Sequence, residues 1–182
     1  FDALHERRVR VIGARHEQGC AYMALGYARA SGRPGVYAVV PGPGMLNTAA
    51  ALLTAHGCNA PVLCLTGQVP SAFFGRGRGH LHEMRDQLAT MRQLAKWAER
   101  IDHAAAAPSL VAQAFQQMLS GRRGPAALEM FWEQFTEKVE VEPVDPLPLL
   151  PPPALDFDRI DQAARLIAEA RAPMIMVGGG AV

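Results

Sequence analysis

The sequence is poor in the features that mark several large classes of protein. Its three cysteines (Cys20, Cys58, Cys64) are an odd number scattered through apolar segments, which favours reduced thiols in a cytoplasmic protein over a disulfide framework. The formal net charge is only +1, so charge gives no reason to expect a nucleic acid or an anionic membrane as partner. No apolar run approaches the roughly 18 residues that span a bilayer, and "FDALHERR" has no signal-peptide pattern. Any partner must therefore be predicted from a specific site.

What the sequence has is the composition of a protein with a sizeable core, because 49% of its 182 residues are hydrophobic and 19% are charged. It starts at Phe1 in place of a methionine and stops in the apolar, glycine-rich "PMIMVGGGAV". We expect a piece of a longer polypeptide, with residues missing on both sides.

Short β-like runs alternate with helical ones along the first two thirds of the chain. The runs rich in Val, Leu and Ala lack the polar alternation of half-exposed strands, so the pattern predicts an α/β fold with a parallel sheet covered by helices on both faces. The predicted strands are 9–13, 35–40, 61–67, 96–101 and 125–131, and the predicted helices are 17–30, 47–56, 84–95 and 108–120.

A change of composition predicts the domain organisation. Residues 136–156 are rich in proline, which removes backbone donors and enforces extended chain, as in a linker. We therefore expect one domain over residues 1–135, with its N-terminal part missing. After the linker, residues 157–182 have an acidic helix start, a proline stop and the strand-like run "PMIMVGGG", which predicts the start of a second α/β domain.

The stretch "VVPGPGMLNTAAALL" combines a buried-looking strand, a tight Gly/Pro turn and a helix. Such a turn lets backbone N–H groups approach a ligand at the sheet edge, although it can equally be a plain strand-to-helix connection. A dinucleotide-binding oxidoreductase built around Gly42 and Gly44 is the weaker interpretation, because the third glycine position and the acidic residue about 20 positions later are missing.

The stretch "RGRGHLHEMRD" (76–86) carries His80, His82 and Glu83 after an arginine–glycine half. One short run without aromatic repeats is weak support for RNA binding. The His-x-His pair has no further ligands at metal spacing, so no metal site is predicted in this chain. A mobile loop beside a site is the favoured interpretation.

Glu17 heads the helix-like "EQGCAYMALGYARASG", directly after the predicted strand "VRVIG". That position places it at the carboxyl edge of the sheet, where open α/β sheets bind ligands. Helix starts also favour acidic residues for dipole reasons alone, so position leaves both interpretations open.

The order of "RHEQGCAYMALGYARASGRPG", "PGPGMLNT" and "PVLCLTGQVP" resembles the N-terminal, pyrimidine-binding domain of the thiamin-diphosphate-dependent enzymes, in the acetolactate synthase and 2-oxoacid decarboxylase group. The resemblance covers about residues 1–135 and continues into the linker and "PMIMVGGG". It implies a carboligase or decarboxylase, a lyase or transferase, that acts on a 2-oxoacid.

By the same resemblance, Glu17 is the catalytic glutamate that shares a proton with N1′ of the cofactor's aminopyrimidine, and Pro43, Gly44 and Asn47 line the pocket of that ring. Partial burial among Ala14, Gly19 and Cys20 is expected to raise the pKa of the Glu17 carboxyl and suit it to this role.

The segment after "TGQVP" departs from the family pattern. "HLHE" stands where Phe-Gln-Glu is usual, so only Glu83 matches, and His80 or His82 replaces the glutamine. A histidine there can orient or protonate a substrate carboxylate or carbonyl, or it can be an idle surface residue.

The resemblance further implies a homodimer or homotetramer whose Mg²⁺ and diphosphate are bound by a C-terminal domain absent from this chain. The piece alone is therefore expected to be inactive, and FAD is possible in the second domain. The alternative from another class is a non-catalytic paralogue or binding module of the same fold.

Overall fold

Residues 2–179 are described by a computed structural model, in which the chain forms two units, Phe1–Leu150 and Pro151–Val182. The described part of the first unit is built on a four-stranded parallel sheet in the order β1-β2-β4-β3. The strands are β1 (Gly35–Val39), β2 (Val62–Gln68), β3 (Trp97–Ile101) and β4 (Ala126–Phe131). The predicted α/β class with a parallel sheet is confirmed.

Helices connect the strands, and the ends of several are fixed by local signals. The side chain of Asp86 caps the helix Gln87–Leu94 by accepting a hydrogen bond from Ala89 N at 2.9 Å. Gly32 ends the helix Glu17–Ser31 in a left-handed conformation (φ 70°). The helices of the first unit are α1 (Asp2–Glu6), α2 (Glu17–Ser31), α3 (Pro43–Asn47), α4 (Ala49–Gly57), α5 (Gln87–Leu94) and α6 (Ala107–Leu119).

Both faces of the sheet are covered, as the apolar strands predicted. Cys64, Ala98 and Ala127 pack with α2, α4 and α5, while Leu63, Ile101, Ala126 and Leu128 pack with α6. Because side chains alternate between faces along a strand, neighbouring residues of β4 belong to different cores. Burial on both sides explains why these strands read as continuous apolar runs.

The predicted strand at 9–13 is wrong. These residues form neither helix nor strand, and Val9, Val11 and Ile12 are 52%, 53% and 57% exposed. In the described part of the chain β1 pairs with β2 alone, so the segment does not extend the sheet at the outer edge of β1. An apolar run without a paired edge cannot satisfy its backbone as a strand.

The proline-rich segment contains no helix or strand from residue 137 to 156. Its first part is held on the first unit by two hydrogen bonds: Gln116 Nε2 donates to Pro148 O at 2.7 Å, and Leu150 N donates to Ser120 Oγ at 3.0 Å. The domain boundaries given above stay a prediction.

The second unit holds α7 (Phe157–Glu169), which begins after Asp156, whose Oδ1 accepts from Arg159 N at 3.1 Å. The predicted strand in "PMIMVGGG" is wrong for residues 173–178, which pair with no strand. A single helix offers no edge for pairing. Residues 180–182, the end of the glycine run considered for FAD, lie outside the described residues. Nowhere in 2–179 is a helix both apolar and long enough to span a membrane.

Candidate active site

Glu17 is the first residue of α2 and lies beside the turn that follows β1. Asn47 Nδ2, at the end of α3, donates to Glu17 Oε2 at 3.0 Å. The preceding residue, His16, is extended (φ −142°, ψ 137°), and its Nδ1 accepts from Gln18 N at 3.1 Å, so His16 caps the helix. Glu17 is therefore left to point at the turn. The structure brings these two predicted site residues, 30 positions apart, into direct contact.

The turn between β1 and α3 passes close to this carboxyl group because it is built from glycine and proline. Pro43 starts α3, a position where its missing N–H costs nothing. A Cβ at Gly44 would lie 2.5 Å from Val40 Cγ2 and 3.7 Å from Glu17 Oε1. The bare backbone of Gly44 thus lies beside Oε1 with no side chain of its own, while Asn47 holds Oε2.

The expectation that burial raises the pKa of Glu17 is wrong for this chain. The pKa of its carboxyl is lowered, first by a hydrogen bond from its own backbone N–H and then by the Asn47 amide; burial opposes these two effects, and the nearby charge of His16 adds a smaller lowering. Ala14 and Gly19 are exposed and Cys20 is half-buried, so they do not bury the carboxyl as predicted. In this chain by itself Glu17 is a half-exposed carboxylate.

His80, His82 and Glu83 lie in the connection between β2 and α5, residues 69–86, which we call the histidine loop. His80 stacks on Phe73, with ring centroids 4.4 Å apart and planes 9° from parallel. Glu83 accepts from Gly77 N at 3.0 Å and from His80 N at 2.9 Å, and these amides lower its pKa. Glu83 therefore shapes the loop, although it is the one residue that matched the family pattern.

The histidine loop reaches the turn at Gly42. His82 has a left-handed backbone (φ 69°), and its carbonyl oxygen would lie 2.5 Å from a Cβ at Gly42. Only glycine fits there, since Gly42 itself has φ 60° and ψ −116°. His80 and His82, with Pro41 and Trp132, line a cavity of about 260 Å³. The described hydrogen bonds link neither histidine to Glu17.

A set of buried polar side chains beneath the turn was missed by the sequence analysis. Gln68, Gln87 and Glu129 are each at most 1% exposed, and both glutamines and Arg100 donate hydrogen bonds to Glu129. The available signal was a lone glutamate in the otherwise apolar "AALEMF". A buried carboxylate needs partners, but its own segment gives no indication of which residues they are.

The donor set favours an organic ligand over a metal at this edge. Glu17 and Asn47 offer a carboxylate and an amide beside the bare backbone of Gly44, and such groups suit a planar heterocycle with ring nitrogens. Within residues 2–179, no three His, Cys, Asp or Glu side chains come together as metal ligands.

Comparison with known proteins identifies relatives of one kind. Residues 1–90 match the family described as "Thiamine pyrophosphate enzyme, N-terminal TPP binding domain". The chain is similar to the glyoxylate carboligase of Escherichia coli O157:H7 (34% identical over 179 residues, 96% of this chain and 29% of that protein). It is also similar to an acetolactate synthase of Arthrospira platensis (34% over 173 residues, 92% and 29%) and a sulfoacetaldehyde acetyltransferase of Castellaniella defragrans (36% over 182 residues, 100% and 30%). The chain spans about three tenths of the length of these curated relatives.

Proposed function

The chain belongs to the thiamine pyrophosphate enzymes, through their N-terminal TPP binding domain, and from this premise we propose that it is part of a carboligase or decarboxylase acting on a 2-oxoacid. The observation that carries the proposal is the contact between Glu17 and Asn47 beside the bare backbone of Gly44. These three residues come from two separate segments, yet they converge at one place after β1, where we place the pocket of the cofactor's ring. A mere helix-start carboxylate would need neither the amide nor the glycine.

Each residue has a definable task at this pocket. Glu17 holds or releases a proton at Oε1, the oxygen that faces Gly44, while the Asn47 amide fixes the carboxyl group through Oε2. Pro43 stiffens the turn that forms the rim of the pocket. When bound, thiamin diphosphate supplies the electron sink that decarboxylation of a 2-oxoacid requires.

Proton sharing by Glu17 requires a higher pKa than this chain alone provides, so something must cover the carboxyl group. An exposed apolar patch on α2, α3 and α4 supports a second copy of the chain as that cover. Its members, each 41–54% exposed, are Tyr22, Met23, Tyr27, Leu46 and Leu53. We therefore propose a homodimer or homotetramer in which desolvation raises the Glu17 pKa.

The remaining proposals concern the metal, the cellular compartment and the second domain. We propose that Mg²⁺ and the diphosphate are bound by protein outside this chain. The free thiols of Cys20, Cys58 and Cys64 support a reducing, cytoplasmic compartment. FAD binding rests on the glycine run that begins at Gly178, and it stays a prediction.

The two alternatives, a dinucleotide-binding oxidoreductase and a non-catalytic paralogue, require different geometries of the turn that follows β1. A dinucleotide site needs backbone N–H groups that face a phosphate, but Gly42 N donates inward to Gln87 Oε1 at 2.7 Å. That geometry disfavours the oxidoreductase alternative. A non-catalytic paralogue would keep the fold and the Glu17–Asn47 contact, so only activity separates it from the enzyme.

The test uses the intact protein that contains this chain, with thiamin diphosphate and Mg²⁺, and measures carbon dioxide release from pyruvate, glyoxylate and benzoylformate. The proposal expects release from at least one 2-oxoacid that depends on the cofactor and is lost in Glu17→Gln. Glu99→Gln, an exposed carboxylate of β3, is the matched control. Absence of cofactor binding, or release that Glu17→Gln leaves intact, would reject the proposal.

A further inference from the structure

Three neighbouring strands place polar side chains on one face of the sheet, near their carboxyl ends. Arg100 of β3 is paired in register with Glu129 of β4, and Gln68 is the last residue of β2. Arg100 Nε donates to Glu129 Oε1 at 2.6 Å, and the two side chains are 16% and 0% exposed. This ion pair lies beneath the turn and the histidine loop.

The two residues that flank the histidine loop, Gln68 and Gln87, both donate hydrogen bonds to the same oxygen of Glu129. Gln68, just before the loop, donates from Nε2 to Glu129 Oε2 at 3.2 Å, and its Oε1 accepts from Val69 N at 2.8 Å. Gln87, just after the loop, donates from Nε2 to the same Oε2 at 2.7 Å. The carboxylate thereby fixes the distance between the two points where the loop leaves and rejoins the core.

The middle of the loop is held through the arginine. The guanidinium carbon of Arg100 lies 4.3 Å from the ring centroid of Phe74 and 5.2 Å from that of Phe131, and the two rings pack edge to face at 5.4 Å. Cation–π contacts of this kind hold an aromatic side chain in place without a hydrogen bond. Glu129 orients Arg100, so the same carboxylate also holds Phe74.

Gln87 extends the network to the turn of the candidate active site. Its Nε2 donates to Gly67 O at 2.9 Å as well as to Glu129, so its Oε1 must face the opposite way, where it accepts from Gly42 N at 2.7 Å. Every polar atom of this buried amide is engaged. Gly42 is the residue against which the His82 backbone packs.

We propose that Glu129, acting through Gln68, Gln87 and Arg100, is a positioning residue that sets the histidine loop against the Gly42 turn and so aligns the substrate side of the site with its cofactor side. The inference rests on the proposed function for its kinetic consequence. The loop anchoring itself is a property of this chain alone.

The test compares four forms of the intact protein with the wild type: Glu129→Gln, Gln87→Met, the apolar pair Glu129→Leu with Arg100→Met, and the control Glu99→Gln. The control removes a neighbouring carboxylate whose ion pair with Arg92 is 39% and 53% exposed. The apolar pair guards against loss of folding, because well-packed apolar residues often replace a buried ion pair without loss of stability.

The first readout is backbone amide hydrogen exchange. Removing Glu129 or Gln87 is expected to speed exchange in residues 69–86 by about tenfold or more, with α6, on the other face of the sheet, unchanged. Loop exchange that stays at the wild-type rate would overturn the proposal. An equal rise in the loop and in α6 would also overturn it, since the network would then support the core as a whole and not the loop in particular.

The second readout is kinetic. The half-saturating 2-oxoacid concentration is expected to rise, or kcat to fall, by about tenfold or more, with a much smaller change in half-saturating thiamin diphosphate. A loosened loop with unchanged substrate kinetics would contradict the positioning role. If the wild type shows no thiamin-diphosphate-dependent turnover, the proposed function fails, and the exchange result alone still decides whether Glu129 anchors the loop.

Discussion

The turn at Gly44 and the network at Glu129 are neighbouring regions, each organised around a glutamate that accepts from a carboxamide nitrogen. Glu17 is half-exposed and has one side-chain partner, Asn47. Glu129 is fully buried and accepts from Arg100 and from two glutamines. A half-exposed carboxylate can exchange a proton with a ligand, whereas a buried and fully partnered one is suited to holding its neighbours in place. This difference in exposure and in number of partners underlies the two proposed roles, chemical for Glu17 and positioning for Glu129.

The largest expected effect tests the chemical side of this contrast. In the intact protein, Glu17→Gln keeps the shape of the side chain but cannot exchange a proton, so kcat is expected to fall by about 10²-fold or more. The thermal unfolding midpoint should change little, since the side chain is half-exposed. Steady-state kinetics and thermal denaturation measure the two. A large loss of stability with preserved turnover would reverse the roles assigned to the two glutamates.

The second effect tests the buried side. Glu129→Ala leaves the Arg100 charge without its carboxylate partner and removes one hydrogen-bond acceptor from each of two glutamines. The free energy of unfolding is therefore expected to fall by about 3 kcal/mol. Glu99→Ala, which breaks the exposed pair with Arg92, should cost less than about 1 kcal/mol. Urea denaturation of both variants measures the difference. Equal losses would show that burial of the Glu129 pair carries no special weight.

The two glycines of the turn sharpen the comparison. Gly42→Ala places a methyl against the His82 backbone at a φ that favours glycine, and should cost about 2 kcal/mol of stability. Gly44→Ala meets the side chain of Val40, which is 46% exposed and can move, so stability should drop by less than about 1 kcal/mol. Its methyl would instead lie 3.7 Å from Glu17 Oε1 and is expected to weaken cofactor binding at the proposed site. Thermal denaturation and cofactor titration of the two variants separate these outcomes.

The smallest effect is a pH dependence. The folded-state pKa of Glu17 is lowered below its ordinary value of about 4.3, so its contribution to stability is complete above that pH and is lost as the pH falls through the folded-state pKa. For the chain alone, the wild type should be more stable than Glu17→Gln at neutral pH, and the two should converge in acid. Unfolding midpoints over a pH series measure this. A difference that grows in acid would mean that the pKa is raised.

Sequence reasoning succeeded where the signal was local. The strands of the sheet are uninterrupted apolar runs, so the fold could be predicted. Glu17, Asn47 and the glycines stand out within short segments, and the structure brings Glu17 and Asn47 into contact, but their part in a cofactor site stays a prediction. The run at 9–13 misled because a strand also needs a neighbouring strand to pair with, and no local pattern shows whether the segment will pair.

The buried network could not be predicted because its contacts are remote in sequence. Glu129 is 61, 42 and 29 positions from Gln68, Gln87 and Arg100. The predicted rise of the Glu17 pKa was wrong for a related reason. Burial depends on which residues cover the side chain in the fold and not on its neighbours in sequence. The two glutamates therefore differ in tertiary surroundings far more than in local sequence.

The most direct test of the central claim needs no knowledge of the substrate. Thiamin diphosphate and Mg²⁺ are bound to the intact protein in deuterium oxide, the sample is quenched in acid, and proton NMR measures how fast the C2 proton of the cofactor has exchanged. If Glu17 is the carboxyl group that activates the cofactor, wild-type exchange should be at least about 10²-fold faster than exchange in Glu17→Gln, with Glu99→Gln equal to the wild type. Equal rates in the wild type and Glu17→Gln would contradict the assignment.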